Sequence, residues 1–537
     1  MASKTGVPNF GKWRSAIWPI HRFELKRFLP LLFIYALICF NYSILRATKD
    51  ALVVTAPSSG AEAIPFIKVW AILPMALLFT YFFTRLSNRY SIKKIFYIMM
   101  GVFLAFFAIF SFVLYPNREF LHPNVLADQL QMSLPGGFQG LITVFRNWTF
   151  TLFYVMSELW GTMIMTVLFW GFANQITSVE AAKRYYAIIS LGANVASILS
   201  GQFSVFLSKD IFEFSYFSTG DSWGTCLNLI TTSVVIVGLV IVALFWRYTK
   251  SLKKEDVDSP IQQGEIHRKT KIKMSMRKNF AYLAKSKYLI CIAVIVLTYN
   301  ISLNMVEVVW KDQIKQLYPN PTDYNAYMGN VMTAMGVLST FIALFLCGNF
   351  IRRLGWTKTA LITPMITLVT GTIFFTFILL KGSVGGVLAT IIGASPLFLA
   401  VLFGTIQNCC SRACKYTLFD VTKEMSFIPL SPECKLKGKA AIDGVGSRLG
   451  KSGGSVIHQF LLMLFGTVSL STPYVGIILL VVIASWIAAT KSLGKQFTEL
   501  TESHEKISVD ESEPAVARVV AEPETAESVD EDVLTPR

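Results

Sequence analysis

Twelve apolar runs of about 18 residues or more constrain this 537-residue chain more than any other feature, because a bilayer core about 30 Å thick takes about 20 helical residues to cross. They fall at 28–54, 65–86, 95–115, 141–176, 184–207, 224–246, 286–310, 325–351, 358–380, 385–418, 438–467 and 473–490. Segments in hydrocarbon must satisfy their own backbone groups, so the expected class is an all-α membrane protein with twelve transmembrane helices. Composition agrees: 53% of residues are hydrophobic and only 15% charged, against roughly a quarter in soluble domains. The fourth, tenth and eleventh runs exceed a perpendicular span and contain polar residues, which predicts tilted or broken helices there.

Charge orients the spans. The chain carries +16 overall, but 12 acids and 3 bases lie in the last 39 residues, so residues 1–498 hold +25. Short cytoplasmic loops retain Lys and Arg. The 85–94 loop holds Arg85, Arg89, Lys93 and Lys94 without an acid, the 351–358 loop holds Arg352, Arg353 and Lys358, and residues 247–287 hold twelve Lys or Arg against four acids. With twelve spans all three loops share a side with both termini, while the alternate loops near 116–140 and 208–223 are almost neutral. Both termini are therefore expected in the cytoplasm. Topology accounts for most of the excess, so no nucleic-acid partner is expected. Eight cysteines form no CxxC pair and have no His at zinc-ligand spacing, which argues against a disulfide framework or a metal site.

The spans divide six and six around the basic central segment. Arg85-Leu-Ser-Asn-Arg-Tyr-Ser-Ile-Lys-Lys after the second run is matched in place by Gly348-Asn-Phe-Ile-Arg-Arg-Leu-Gly-Trp-Thr-Lys after the eighth, and Leu191-Gly-x4-Ser in the fifth by Leu449-Gly-x4-Ser in the eleventh. This points to a duplicated, major-facilitator-like 6+6 pseudo-symmetric transporter with its site near the midplane between halves. The expected divisions are a basic cytoplasmic N-terminus (1–27), an N-terminal six-helix bundle (28–246), a basic linker (247–285), a C-terminal bundle (286–490) and an acidic disordered tail (491–537).

Ionisable residues inside spans cost free energy unless paired or hydrated, which makes them functional candidates. Arg46 and Lys49, Arg412 and Lys415, and Arg448 and Lys451 share a spacing of three, which puts each pair on one helix face. Arg146 stands near the start of the fourth run. The bland alternative is snorkelling of long side chains to the headgroups, strongest for Arg146 and for Arg412 and Lys415 near a run's end. The acids are fewer: Asp50, Glu158, Glu307 and Asp443. Six or seven cations with so few acids call for a polyanionic substrate, and Arg and Lys are the side chains that bind phosphate. Gly450-Lys451-Ser452 is not a P-loop, because no glycine stands at the required distance and no strand precedes it. Gly446, Gly450, Gly453 and Gly454 allow either close helix packing or backbone approach to a ligand. Tyr42, Phe153, Tyr154, Trp160, Trp170 and Tyr299 are candidates to stack on a base, though such residues in membrane proteins mostly pack.

Longer strings are more specific. Asn41-Tyr-Ser-Ile-Leu-Arg-Ala-Thr-Lys49-Asp-Ala-Leu-Val-Val-Thr-Ala-Pro57, Asp420-Val-Thr-Lys-Glu-Met-Ser-Phe-Ile-Pro-Leu-Ser-Pro, and Lys437-Gly-Lys-Ala-Ala-Ile-Asp443 running into Gly450-Lys451-Ser-Gly-Gly are similar to motifs of the ATP/ADP translocases of plastids and obligate intracellular bacteria. The chain resembles the chlamydial members most, over about residues 15–495. The resemblance implies exchange of host ATP for ADP by alternating access, with no covalent chemistry, no enzyme activity and no cofactor. It implies roles for Lys49, Glu158, Glu307 and Lys451 and leaves Ala47 as a departure, since family motifs often carry an acidic or amide residue there. Phosphates are expected between Arg46/Lys49 and Arg448/Lys451 with Lys415 or Arg412 contributing, and Glu158 and Glu307 tuning charge or gating. Partners are ATP and ADP and the lipid bilayer, with a monomeric chain in the inner membrane of such a bacterium, which the lack of a transit-like leader favours over a plastid. The alternative within the family is a proton-coupled net nucleotide importer; a membrane-bound nucleotide-using enzyme is a weaker one.

Overall fold

A computed structural model describes residues 20–177, 179–209, 221–252, 286–380, 387, 390, 393–430, 442 and 446–510. Among these every regular element is helical. The N-terminal half comprises α1 (Leu25–Val54), α2 (Ala63–Ser87), α3 (Ile92–Leu114), α4 (Asn124–Ser133), α5 (Gln139–Arg146), α6 (Trp148–Ile176), α7 (Val179–Leu207) and α8 (Ser222–Ser251). The C-terminal half comprises α9 (Lys287–Leu317), α10 (321–354), α11 (356–380), α12 (Pro396–Ser426), α13 (Ser447–Phe465) and α14 (Val468–Asp510).

Among the described residues ten helical stretches are long and apolar enough to cross a membrane. One of them, Pro321–Leu380, breaks at Gly355 (φ 74°, ψ 177°), a conformation that favours glycine, and this break separates α10 from α11. Helix α13 occupies the eleventh run.

Several expectations shift at the edges. The fourth run is broken as expected: Asn147 (φ −98°, ψ 47°) separates α5 from α6, and α6 is π-helical over Trp160–Phe169. The tenth is interrupted by a π-helical turn at Lys415–Phe419. A π-helical turn at Ile67–Ile72 in α2 had no signal in the apolar pattern. The seventh run ends too early at 310, because α9 carries its polar residues to Leu317 by pairing them inside the protein. The acidic tail begins as helix, since α14 continues to Asp510; residues 511–537, and the linker from 253 to 285, lie outside the described residues.

The repeated Leu-Gly-x4-Ser does equivalent work in each half. A Cβ on Gly192 in α7 would sit 2.7 Å from Leu32 in α1, and one on Gly450 in α13 would sit 2.9 Å from Asn300 in α9. Each glycine lets the fifth long helix of its half approach the first. Gly454 does the same against Asn304, so close packing is the role seen at both positions.

The halves meet along α7 and α10. A Cβ on Gly201 would lie 2.4 Å from the Gly329 carbonyl oxygen, and one on Gly329 2.7 Å from that of Gly201. Gln202 donates to Thr333 (2.9 Å), Asn325 to Ser208 (3.0 Å), Gln459 to the Pro65 carbonyl (2.9 Å) and Lys315 to the Ser59 carbonyl. These contacts gather toward the end that holds the loops 55–62 and 318–320. At the other end, where α1 starts and α14 finishes, Glu24 pairs with Arg184 within one half and Trp356 stacks on Phe497 within the other. No hydrogen bond or ion pair joins the halves there among the described residues. Among the described residues the contacts between halves therefore concentrate at the loop end, called the closed end below, and thin toward the opposite, open end.

Candidate functional site

A lysine in a membrane interior must find carboxylates or water. Lys49 and Asp50 on α1 are 2% and 1% exposed, and Lys311 on α9 is fully buried. Lys49 lies 3.0 Å from Asp50, 3.1 Å from Glu158 on α6, and 3.7 Å from the centre of the Tyr154 ring, which adds a cation–π contact. Asp50 reaches across the half boundary to Lys311 at 2.8 Å. Lys311 in turn lies 2.8 Å from Glu307, one helical turn before it. Glu307 also pairs with Lys68 from α2 at 3.2 Å and with Arg412 from α12 at 3.1 Å. The result is a continuous charged layer: Glu158, Lys49, Asp50, Lys311, Glu307, then Lys68 and Arg412.

Two further cations face this layer without an ion pair among the described residues. Arg46 lines a small cavity with Asp50, Glu307, Trp310, Asn408 and Arg412. Lys451, on α13, is exposed, and its backbone carbonyl accepts a hydrogen bond from Asn304, which Lys68 also reaches. Among the described residues six cations (Arg46, Lys49, Lys68, Lys311, Arg412, Lys451) thus stand against three carboxylates (Asp50, Glu158, Glu307). Net charge +3 in a partly water-excluded centre favours an anion, and the mixture of Arg and Lys suits phosphate oxygens.

Two features of local structure aim these groups. The π-helical turn Ile67–Ile72 carries Lys68, and the π-helical segment Trp160–Phe169 begins two residues after Glu158; such irregular turns free a side chain from the regular helical register.

The structure brings together Arg46, Lys49, Glu158, Glu307, Arg412 and Lys451 from the sequence-derived set. Lys415 lies at the edge, paired with Asp420 at 3.2 Å. Arg448 is on α13, but its side chain lies outside the described residues, as does Asp443. Arg146 is placed elsewhere: it is buried at the loop end and bonds Asp128 and Gln131 on α4, because the break at Asn147 leaves it on α5 above the layer. Glu307 had been expected near a span end; it lies ten residues inside α9. Sequence reasoning did not place Lys68 or Lys311 in the site, and counted Asp50 only as an intramembrane acid. Lys311 carried a signal in its i+4 spacing from Glu307, and Lys68 in its position inside the second apolar run.

Known proteins match this chain closely. It is 44% identical to ADP,ATP carrier protein 1 of Chlamydia pneumoniae over 515 residues, covering 96% of this chain and 99% of that protein. It is 44% identical over 481 residues to the chloroplastic ADP,ATP carrier protein 1 of Arabidopsis thaliana, covering 90% of this chain and 75% of the relative. In fold it is similar to a D-xylose–proton symporter (TM-score 0.54, 13% identity, 87% of this chain and 97% of the other), a likeness that shows a major-facilitator-like architecture and nothing of what is carried. The profile of the TLC ATP/ADP transporter family matches residues 3–497, and the chain belongs to that family of transporters.

Proposed function

We propose that this chain is an ATP/ADP antiporter that carries ATP inward and ADP outward by alternating access. The observation that carries this reading is the +3 layer, which joins both halves at the point where they meet. It is read as twelve crossings with both termini cytoplasmic, in the inner membrane of an intracellular bacterium, and as a monomer that contacts lipid and nucleotide only.

The ion pairs suggest how exchange becomes obligatory. Asp50–Lys311 and Lys68–Glu307 both cross the half boundary, so with no nucleotide the carboxylates occupy the cations and hold the loop end shut. Clustered cations alone would make the empty site repel itself; here most of them are paired, and the lock is attractive. Phosphates entering from the open end meet Arg46 and Lys451 first, then compete with Asp50 and Glu307 for Lys311, Lys68 and Arg412. That competition weakens the pairs between halves only when an anion is present, so the empty carrier cannot reorient readily. Exchanging ATP⁴⁻ for ADP³⁻ moves about one charge, worth about 2.3 kcal/mol per 100 mV, so membrane potential biases the direction.

The test is counter-exchange in proteoliposomes. Labelled ATP should enter vesicles loaded with ADP and be almost absent from empty ones, and an imposed potential should change the rate. Uptake into empty vesicles driven by a proton gradient would replace antiport with proton-coupled import.

A further inference from the structure

We infer that Tyr416 is the platform on which the nucleobase stacks; this rests on the nucleotide-site reading above and deepens it. A nucleotide offers phosphates, which the charged layer takes, and a flat base, for which that layer provides nothing. The interior aromatics are mostly committed elsewhere. Tyr299, Phe419 and Trp486 pack on one another, as do Phe107, Phe153 and Trp160, while Tyr35 and Phe169 pack on Trp170. Tyr154 is spent on Lys49.

Tyr416 is different. Among the described residues it packs against no other ring, and it is 44% exposed. It follows Arg412 by four residues and Cys409 by seven on α12, and both of those line the central cavity, so Tyr416 stands on the same side of that helix, one turn beyond the lining. Its electrostatic surroundings come from three helices: Lys415 and Asp420 on its own, Arg46 on α1 and Lys451 on α13. The Lys415 ammonium covers one face at 4.4 Å from the ring centre and is itself held by Asp420. The exposed part of the ring is where a base would lie. The π-helical turn Lys415–Phe419 begins at this point and sets the pair apart from the regular packing face of α12. A base on Tyr416 leaves the phosphates to extend toward Arg46 and Lys451, the two cations without ion pairs. Sequence reasoning passed over Tyr416 because it sits beside a charged pair near the end of an apolar run, where aromatic anchors at the headgroups are common.

The experiment compares the full-length wild type with Tyr416→Ala and Tyr416→Phe in detergent, measuring binding of labelled ATP and its displacement by unlabelled ATP and by inorganic tripolyphosphate, which has no base. Loss of one base-stacking contact should weaken ATP roughly 5- to 100-fold in the alanine variant. Tripolyphosphate should bind that variant as it binds the wild type, and the phenylalanine variant should retain ATP. Undiminished ATP affinity in Tyr416→Ala overturns the platform, and so does equal loss of ATP and tripolyphosphate, which marks a purely structural role. If tripolyphosphate fails to displace ATP from the wild type, the phosphate-site reading fails instead.

Discussion

The closed end and the open end of the boundary between halves use the same residue types for opposite purposes. Toward the closed end, Lys311 and Lys68 are paired with carboxylates and glycine backbones touch one another, so charge there is a fastener. Toward the open end, Lys451 is exposed and Arg46 unpaired, so charge there is what an arriving anion can use. A cation's role in this molecule is therefore set by its nearest acid and by its access to water, and residue type alone does not reveal it.

The sharpest way to test that division is to remove the central fastener. Lys311→Met leaves Asp50 and Glu307 each short of a partner in a buried setting, and should cost about 3–5 kcal/mol of stability. Thermal unfolding in detergent reads the loss. Adding Asp50→Asn in the same chain should recover part of it, because one uncompensated charge is then gone; no recovery means the pair contributes nothing specific. Lys451→Ala makes the opposite prediction. It touches no carboxylate, so stability should stay within about 0.5 kcal/mol of wild type, while loss of a charge-assisted contact should weaken ATP and ADP by about 1.5–3 kcal/mol. Wild-type affinity in that variant would remove Lys451 from the site.

The glycine seam separates closure from binding. Leu in place of Gly329 must displace the Gly201 carbonyl, at a cost of about 1–3 kcal/mol to the closed arrangement. Equilibrium ATP binding should survive in detergent while exchange in vesicles slows. If both are unchanged, the α7–α10 contact is not part of the cycle.

How much of this was legible in sequence follows from the range of each interaction. Apolar runs, the polar interruptions of the fourth run and the paired Leu-Gly-x4-Ser strings are local, and they locate the helices and point to two similar halves. Lys49, Arg46 and Arg412 are visible because a charge amid apolar neighbours is a local anomaly. Lys68 and Lys311 escaped because their justification is distant: the partner of Lys68 is 239 residues away, and that of Lys311 in Asp50 is on another half. Arg146 misled for the same reason, since its span broke at Asn147 and turned it toward Asp128. Only the fold decides whether a charge near a run's end snorkels, as the sequence allows for Arg412, or turns inward to Glu307, as it does.

Glu158 tests the boundary between the two regimes, because it pairs with buried Lys49 yet its side chain is 32% exposed. Lys49 keeps Asp50 and the Tyr154 ring when this carboxylate is neutralised, so Glu158→Gln should change stability by no more than about 1 kcal/mol, as for other half-exposed pairs. It also raises the net charge that a nucleotide meets from +3 to +4. ATP should therefore bind up to about fivefold more tightly, with the gain shrinking as salt rises because the side chain is within reach of solvent ions. Faster release is part of a carrier's task, so tighter binding should come with slower exchange. A variant that binds ATP more weakly at every salt concentration would instead make Glu158 a direct contact to the nucleotide or a member of the closed-end fastener, and would move the dividing line between the two ends to the far side of α6.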